Sequence, residues 1–180
     1  HSDHIGGNTD VNGQPVFPNA RHIIHKSEWV YWMDRLSKPQ TEEKGPPMVA
    51  TARKNLLPLR ERFELIEDER DILPGIKFNL APGHTPGNLV VVLSSGGKQL
   101  LCIGDLIHDP SEFKQPEKYA MIDFSAEQAL RSRNETMSQA AVSSTAVFAC
   151  HFPFPGLGHV TRQGDRFAWQ PVRDADELTA

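Results

Sequence analysis

The stretch His1-Ser2-Asp3-His4-Ile5-Gly6-Gly7 places two imidazoles and a carboxylate inside four positions and follows them with two glycines. Packing does not account for such a density of ligand-type side chains. The reading is a metal site. A motif of this kind ordinarily sits behind a strand that aims it, so the expectation is a chain cut through its own motif. Three further stretches share the same grammar: Pro82-Gly83-His84-Thr85-Pro86-Gly87, Ile103-Gly104-Asp105 and Cys150-His151-Phe152-Pro153. Each sets a His or Asp at the end of an apolar strand or beside glycines. Loops at strand ends converge on one edge of a layered sheet, where sites on rigid scaffolds usually form. Glycine and proline let the backbone turn sharply and hold the imidazoles in place. Imidazole and carboxylate without thiolate suit a hard or borderline divalent cation.

Taken singly, each stretch has a plainer reading. His84 fits a structural turn, Asp105 a turn acceptor for backbone amides, and His151 a satisfied core histidine. The order of all four together favours the metal centre.

Bulk properties bound the alternatives. The chain has 180 residues, enough for one domain with a sizeable core, and the expectation is a single domain over 1–180. Hydrophobic content of 38%, charged content of 23% and a net charge of −4 are ordinary for a soluble globular protein. No basic run stands out, so neither nucleic acid nor an anionic membrane is the expected partner. The longest apolar run, Leu89 to Leu93, is too short to span a bilayer. Cys102 and Cys150 make no disulfide framework and leave the compartment open.

The chain alternates helix and strand. Arg21 to His25 reads as a strand, and Ser27 as the N-cap of a helix running to about Leu36. The polar Gln40–Gly45 stretch follows. Pro46-Pro47 opens a second helix, with Met48, Ala52, Asn55 and Leu56 at helical spacing and Pro58 bounding it. Phe63–Ile66, Ile76–Leu80, Leu89–Leu93 and Gln99–Ile103 read as strands, the last two joined by the hairpin turn Ser94-Ser95-Gly96-Gly97. Those two runs are nearly continuous, which predicts burial on both faces. Ser125 and Gln128 suggest a capping box for a helix to about Ser143, with Ala126, Leu130, Met137 and Ala141 near one stripe. Thr145–Cys150 is expected as a buried strand, and His159–Arg162 with Arg166–Trp169 as a closing hairpin. The tail from Arg173 is expected to fray. The class is layered α/β.

These residues carry a resemblance. His1-x-Asp3-His4 resembles the second half of the His-x-His-x-Asp-His signature of the metallo-β-lactamase superfamily. The His84 stretch resembles its next histidine motif, Gly104-Asp105 its bridging aspartate, and His151 its last ligand. Ser27-Glu28-Trp29-x-Tyr31-Trp32 and His151-Phe152-Pro153-Phe154-Pro155-Gly156 are similar to the branch that holds methyl parathion hydrolase and lactonase-like enzymes. The resemblance implies a four-layer αββα sandwich and two divalent metal ions, most often zinc. His1 and His84 would hold the first, Asp3, His4 and His151 the second, and Asp105 would bridge them. The family's leading histidine should lie two positions before His1. This sequence does not contain it, so the sandwich is expected to be incomplete and to lack its first strands.

The implied chemistry is hydrolysis of an ester, lactone or phosphotriester by a metal-bridging hydroxide, with Asp3 and Asp105 as the catalytic carboxylates. An aspartate where thiol-bearing β-lactamases use cysteine makes antibiotic hydrolysis a poorer fit. The implied partner is a small-molecule substrate, and a homodimer is compatible with the sequence. Three readings compete: a mononuclear-iron oxidoreductase of the same fold acting on a sulfur substrate, an inactive fragment, and copper chelation by the α-amino group with His1. The last leaves three motifs unexplained.

Other side chains are weighed beside these. His108 reads equally as pocket lining and as structure, and so does His159. His22 and His25 are three apart on a strand and cannot share a metal there, so they read as structural or solvated. Trp29 and Trp32 are expected in the core, the alternative being an aromatic wall at a pocket mouth. Cys150, ahead of His151 on a strand, is expected to point away as an inert buried thiol.

Overall fold

The computed structural model describes residues 1, 3–34, 47–115 and 123–173. The chain forms two compact units, His1–Glu67 and Asp68–Ala180.

In the first unit, strand β1 (His22–His25) runs straight into helix α1 (Lys26–Asp34). The helix begins two residues earlier than a Ser27 cap would place it, because the His25 ring does the capping: its Nδ1 accepts the Ser27 amide at 3.2 Å. A ring nitrogen serves that orphan N–H as a serine oxygen would. His22 and His25 are both buried, so the structural reading holds and the solvated one does not. Helix α2 spans Pro47–Leu56, and a 3₁₀ turn over Leu57–Arg62 follows it around Pro58. Strand β2 (Phe63–Ile66) then pairs with β1 in parallel, His22 opposite Phe63. The core of this unit is Trp32 with Val49, Ala52 and Leu56, which stand three and four apart along one face of α2. The Trp32 indole, buried in the core, donates to Glu28 at 2.6 Å, while Trp29 is half-buried and packs on Phe63 at the edge of that core. The expected helix end near Leu36, the Gln40–Gly45 stretch and Pro46 lie outside the described residues.

The second unit is a seven-stranded sheet in the order β3 (Arg70–Leu73), β4 (Ile76–Leu80), β5 (Leu89–Ser95), β6 (Lys98–Cys102), β7 (Ala146–Phe148), β8 (Leu157–Gln163) and β9 (Arg166–Pro171). Every neighbouring pair is antiparallel except β6 and β7. A parallel pair cannot be joined by a tight turn, and helix α3 (Ala126–Ser143) lies in the crossover between them. β4 and β6 are each antiparallel to β5, and β7 is parallel to β6, so β4, β6 and β7 run the same way. Their C-terminal ends therefore leave the sheet at one edge. That edge receives the loops bearing His84, Asp105 and His151.

The α/β class and most strands follow the expectation, with four differences. β3 is an edge strand whose charged Arg70-Asp71 start hides it from a hydrophobic reading. Burial on both faces is not seen in β5 and β6: Val90, Val92 and Leu101 are buried, while Leu89, Val91 and Leu100 are only half-buried. The buried stripe of α3 is Ala129, Ser132, Arg133, Met137 and Ala140 rather than one through Ala126, Leu130 and Ala141, because a buried charge occupies its middle. Ser125 caps α3 by accepting the Gln128 amide at 3.4 Å. Finally, β7 ends at Phe148, which puts Cys150 in the following turn, where it is exposed. It is not a buried strand thiol. The segment beyond residue 173 lies outside the described residues, and among those residues no helix is long and apolar enough to cross a membrane.

Candidate metal centre

The loop after β4 is held down against the segment that leads into α3. Ser125 donates its amide to the Gly83 carbonyl at 2.9 Å, and Phe124 to the His84 carbonyl at 3.0 Å. The Ser132 hydroxyl adds a bond to Pro82 O at 2.7 Å. Gly83 makes this approach possible: at φ +143° a Cβ there would stand 2.1 Å from the Ala129 nitrogen. His84 emerges from this clamp with its ring 2% exposed.

One side of that ring is fixed by a carboxylate. His84 Nδ1 lies 2.9 Å from Asp123 Oδ1, and an ionised carboxylate can only accept, so Nδ1 carries the hydrogen. Nε2 then holds the lone pair that a cation requires. Asp123 is in turn held by Arg133, whose Nη2 donates to Oδ2 at 3.0 Å. Burial alone would raise the Asp123 carboxyl, but the bond from His84 and the Arg133 guanidinium together hold it below its ordinary value. Arg133 also donates through Nε to the Leu106 carbonyl at 2.6 Å. One buried side chain of α3 thus braces both the His84 loop and the Asp105 turn.

Asp105 sits in the short turn Gly104–Leu106 that follows β6. Gly104 adopts φ +51°, a left-handed conformation that swings the chain off the strand end. The Asp105 carboxylate is buried, 3.5 Å from His84 Nε2 through Oδ2 and 2.7 Å from His151 Nε2 through Oδ1. His151 follows β7 in a turn anchored by Ala149 N to Gly156 O at 2.8 Å. Its neighbour Phe152 is buried against Phe113 and Trp169. Asp105, Cys150 and His151 each offer a donor atom within 4.8 Å of one another.

His108 lies between the two imidazoles, its ring centroid 4.7 Å from that of His84 and 5.1 Å from that of His151. Burial, and then the neighbouring His84, push its pKa down to about 4 despite the pull of Asp105, so it stays neutral at physiological pH. Glu112 orders this stretch by accepting the amides of His108 and Asp109.

In the first unit, His1 Nδ1 lies 2.9 Å and His4 Nε2 3.5 Å from opposite oxygens of Asp3. The His4 amide donates to His1 O at 3.1 Å, and the His1 ring meets Trp32 edge-on at 5.4 Å. The structure therefore gathers His84, Asp105 and His151 in one unit, and His1, Asp3 and His4 in the other. Asp123, Glu112 and Arg133 are the partners that sequence reading missed. In sequence, Asp123 stands among apolar residues (Met121, Ile122, Phe124) and Glu112 in a short polar stretch, and nothing local marks either as a partner of the site, although Asp123 meets a histidine 39 residues away.

The donor chemistry suits a divalent cation. Two imidazoles and a buried carboxylate, Asp105, converge, and the buried Arg133 guanidinium is held by other carboxylates, Asp123 at 3.0 Å and Glu112 at 3.6 Å.

Comparison with known proteins agrees. Residues 1–140 match the profile of the metallo-β-lactamase superfamily. No curated relative matches. Among solved structures, the chain resembles AidC, a dizinc quorum-quenching lactonase in complex with an acyl-homoserine product, at 29% identity and a TM-score of 0.85, over 97% of this chain and 62% of that one. It also resembles the hydrolase AbOPH of the β-lactamase superfamily, at 26% identity and TM-score 0.82, over 98% of this chain and 62% of that one. A probable metal-dependent hydrolase from Staphylococcus aureus, at 20% identity and TM-score 0.76 over 96% and 59%, shares the fold. The chain thus spans about three fifths of the length of these structures. With its profile match over 1–140 and the loops bearing His84, Asp105 and His151 at one sheet edge, the chain belongs to the metallo-β-lactamase superfamily.

Proposed function

We propose that this chain carries the centre of a metal-dependent hydrolase of the lactonase-like branch, acting on a lactone, with aryl esters and phosphotriesters as the neighbouring substrate classes. The observation that carries the reading is the meeting of His84, Asp105 and His151 from three separate loops, with His84 oriented by Asp123. The likeness to AidC, a dizinc lactonase, supports the branch and the substrate class.

The motif order assigns His1, Asp3 and His4 to the same ligand set, with His84 and His1 for one cation, Asp3, His4 and His151 for the other, and Asp105 for both. Bound divalent cations, zinc by preference, would supply Lewis acidity toward the carbonyl oxygen and a water acidic enough to act as nucleophile at neutral pH. The chain's own groups do the rest. Asp123 accepts the Nδ1 hydrogen of His84 and keeps the imidazole from turning. Arg133 keeps Asp123 ionised and in place. The buried Asp105 carboxylate concentrates negative charge where cations must sit. Asp3 is the carboxylate proposed to orient the attacking water. Hydrolysis joins the water oxygen to the acyl carbon, breaks the ring ester bond and leaves the former ring oxygen as an alcohol.

The test is to load the chain with zinc and follow acid release from an acyl-homoserine lactone, an aryl ester and a phosphotriester. Zinc-dependent turnover of the lactone, abolished in His84→Ala and Asp105→Ala, is expected. Absence of metal-dependent hydrolysis of all three, or full activity in either variant, would overturn the proposal. One bound iron with oxygen uptake would favour the oxidoreductase instead.

A further inference from the structure

The Cys150 thiol stands where the chemistry proposed above has no use for it. It is exposed, it lies in the turn after β7, and its Sγ sits within 4.8 Å of a carboxylate oxygen of Asp105 and a ring nitrogen of His151. Three independent features hold it there. The chain reverses at 149–156 through the Ala149–Gly156 and Phe152–Ala149 backbone bonds. Phe152, two residues on from Cys150, is buried against Phe113 and Trp169 and anchors the turn. The thiol itself reaches the Gly104 carbonyl at 3.7 Å, one residue before Asp105.

Zinc–thiolate and zinc–imidazole bonds run about 2.3 and 2.0–2.1 Å, so donors sharing one cation stand less than about 4.4 Å apart. The donor atoms of this cluster all lie within 4.8 Å of one another, a spacing that small side-chain shifts bring onto one cation. Thiolate is also the softest donor a protein offers and biases a mixed site toward thiophilic cations.

We propose that Cys150 is a metal-facing thiol: with Asp105 and His151 it forms a mixed sulfur, oxygen and nitrogen donor set, so that a thiophilic divalent cation at this position takes the sulfur as a ligand. The inference rests on the metal-centre reading above and deepens it by naming a donor beyond the imidazole and carboxylate set. Binding replaces the thiol proton with the cation, and the proton goes to solvent. No oxidation is involved. The alternative role for Cys150 is a tether for the Gly104 turn through its 3.7 Å contact.

Cobalt separates the two. The full chain is stripped of metal and titrated with Co²⁺ alone. Visible d–d absorption reports that a cation is held by the imidazoles and carboxylates; a near-ultraviolet thiolate-to-cobalt transition reports the sulfur. Both bands are expected, with loss of the near-ultraviolet band alone in Cys150→Ser and its retention in Cys102→Ser. Cys102, on β6, is the internal control, because burial raises its thiol above the ordinary range. In parallel, iodoacetamide should label Cys150 in the metal-free chain and fail to label it when Co²⁺ is present. Visible bands without the near-ultraviolet transition, or labelling of Cys150 unchanged by metal, would overturn the proposal and leave the tether. Absence of both bands would defeat the metal-centre reading itself.

Discussion

Asp123 makes the residue-scale case. It touches no predicted metal position directly, yet it decides which nitrogen of His84 is available. Removing a carboxylate behind a ligating imidazole lowers metal affinity by about 10–100-fold in comparable sites. Asp123→Ala should therefore weaken zinc binding by about that factor, measured by competition with a chromophoric chelator. Asp123→Asn, which keeps an oxygen acceptor, should fall between it and the parent. A folded Asp123→Ala protein with unchanged affinity would rule this role out. His108 offers a second, pH-based test. Its imidazole is held neutral down to about 4 against an ordinary 6.5. Between these values the unfolded chain takes up a proton that the folded chain refuses. The contribution of neutral His108 is thus complete above 6.5 and is lost as pH falls toward 4. The metal-free protein should lose melting temperature across that window, and His108→Gln should lose less. Equal losses in thermal melts from pH 7 to 4 would reject the assignment.

At the scale of elements, the site depends on how α3 is seated. Gly83 lets the His84 loop touch the first turn of α3, and Ser125 caps that turn. Gly83→Ala forces a methyl to within 2.1 Å of backbone at a φ that side chains rarely adopt. Overpacking of this kind costs on the order of 3 kcal/mol, since no flexible side chain can yield. Ser125→Ala removes only one capping bond, about 1 kcal/mol. Urea unfolding of both variants should return that order, and a Gly83→Ala protein as stable as the parent would mean that the clamp is not there. These elements differ in how well the sequence displays them. The Gly96-Gly97 and Gly164-Asp165 hairpins and the α3 boundaries are legible because their signals are local turn and cap residues. The buried stripe of α3 is not, because Arg133 interrupts it with a charge whose partners, Asp123 and Leu106 O, come from other segments. Cys150 is misread for a related reason. An apolar run from Thr145 looks like one strand, but pairing with β6 and β8 stops at Phe148.

For the whole molecule, the order of motifs along the chain is more informative than any element. His84, Asp105 and His151 belong to loops far apart in sequence, and strand direction alone brings them to one edge of the second unit. A pattern of histidines and aspartates at strand ends can be read without coordinates. The carboxylate and guanidinium behind them cannot, because their positions follow from tertiary packing. A ligand that binds only the folded chain stabilises it, by about 2.7 kcal/mol at a concentration 100 times its Kd. Zinc should therefore raise the melting temperature of the chain, a chelator should reverse the rise, and Asp105→Ala should abolish it. Hydrogen exchange gives that stabilisation an address. If one cation centre ties the three loops, zinc should slow exchange together at 83–86, 104–108 and 149–152. It should leave the Gln163–Arg166 hairpin turn unchanged, since that turn carries none of the assigned ligands. Protection confined to one of the three segments, or spread evenly over the sheet, would show that the loops do not share a centre.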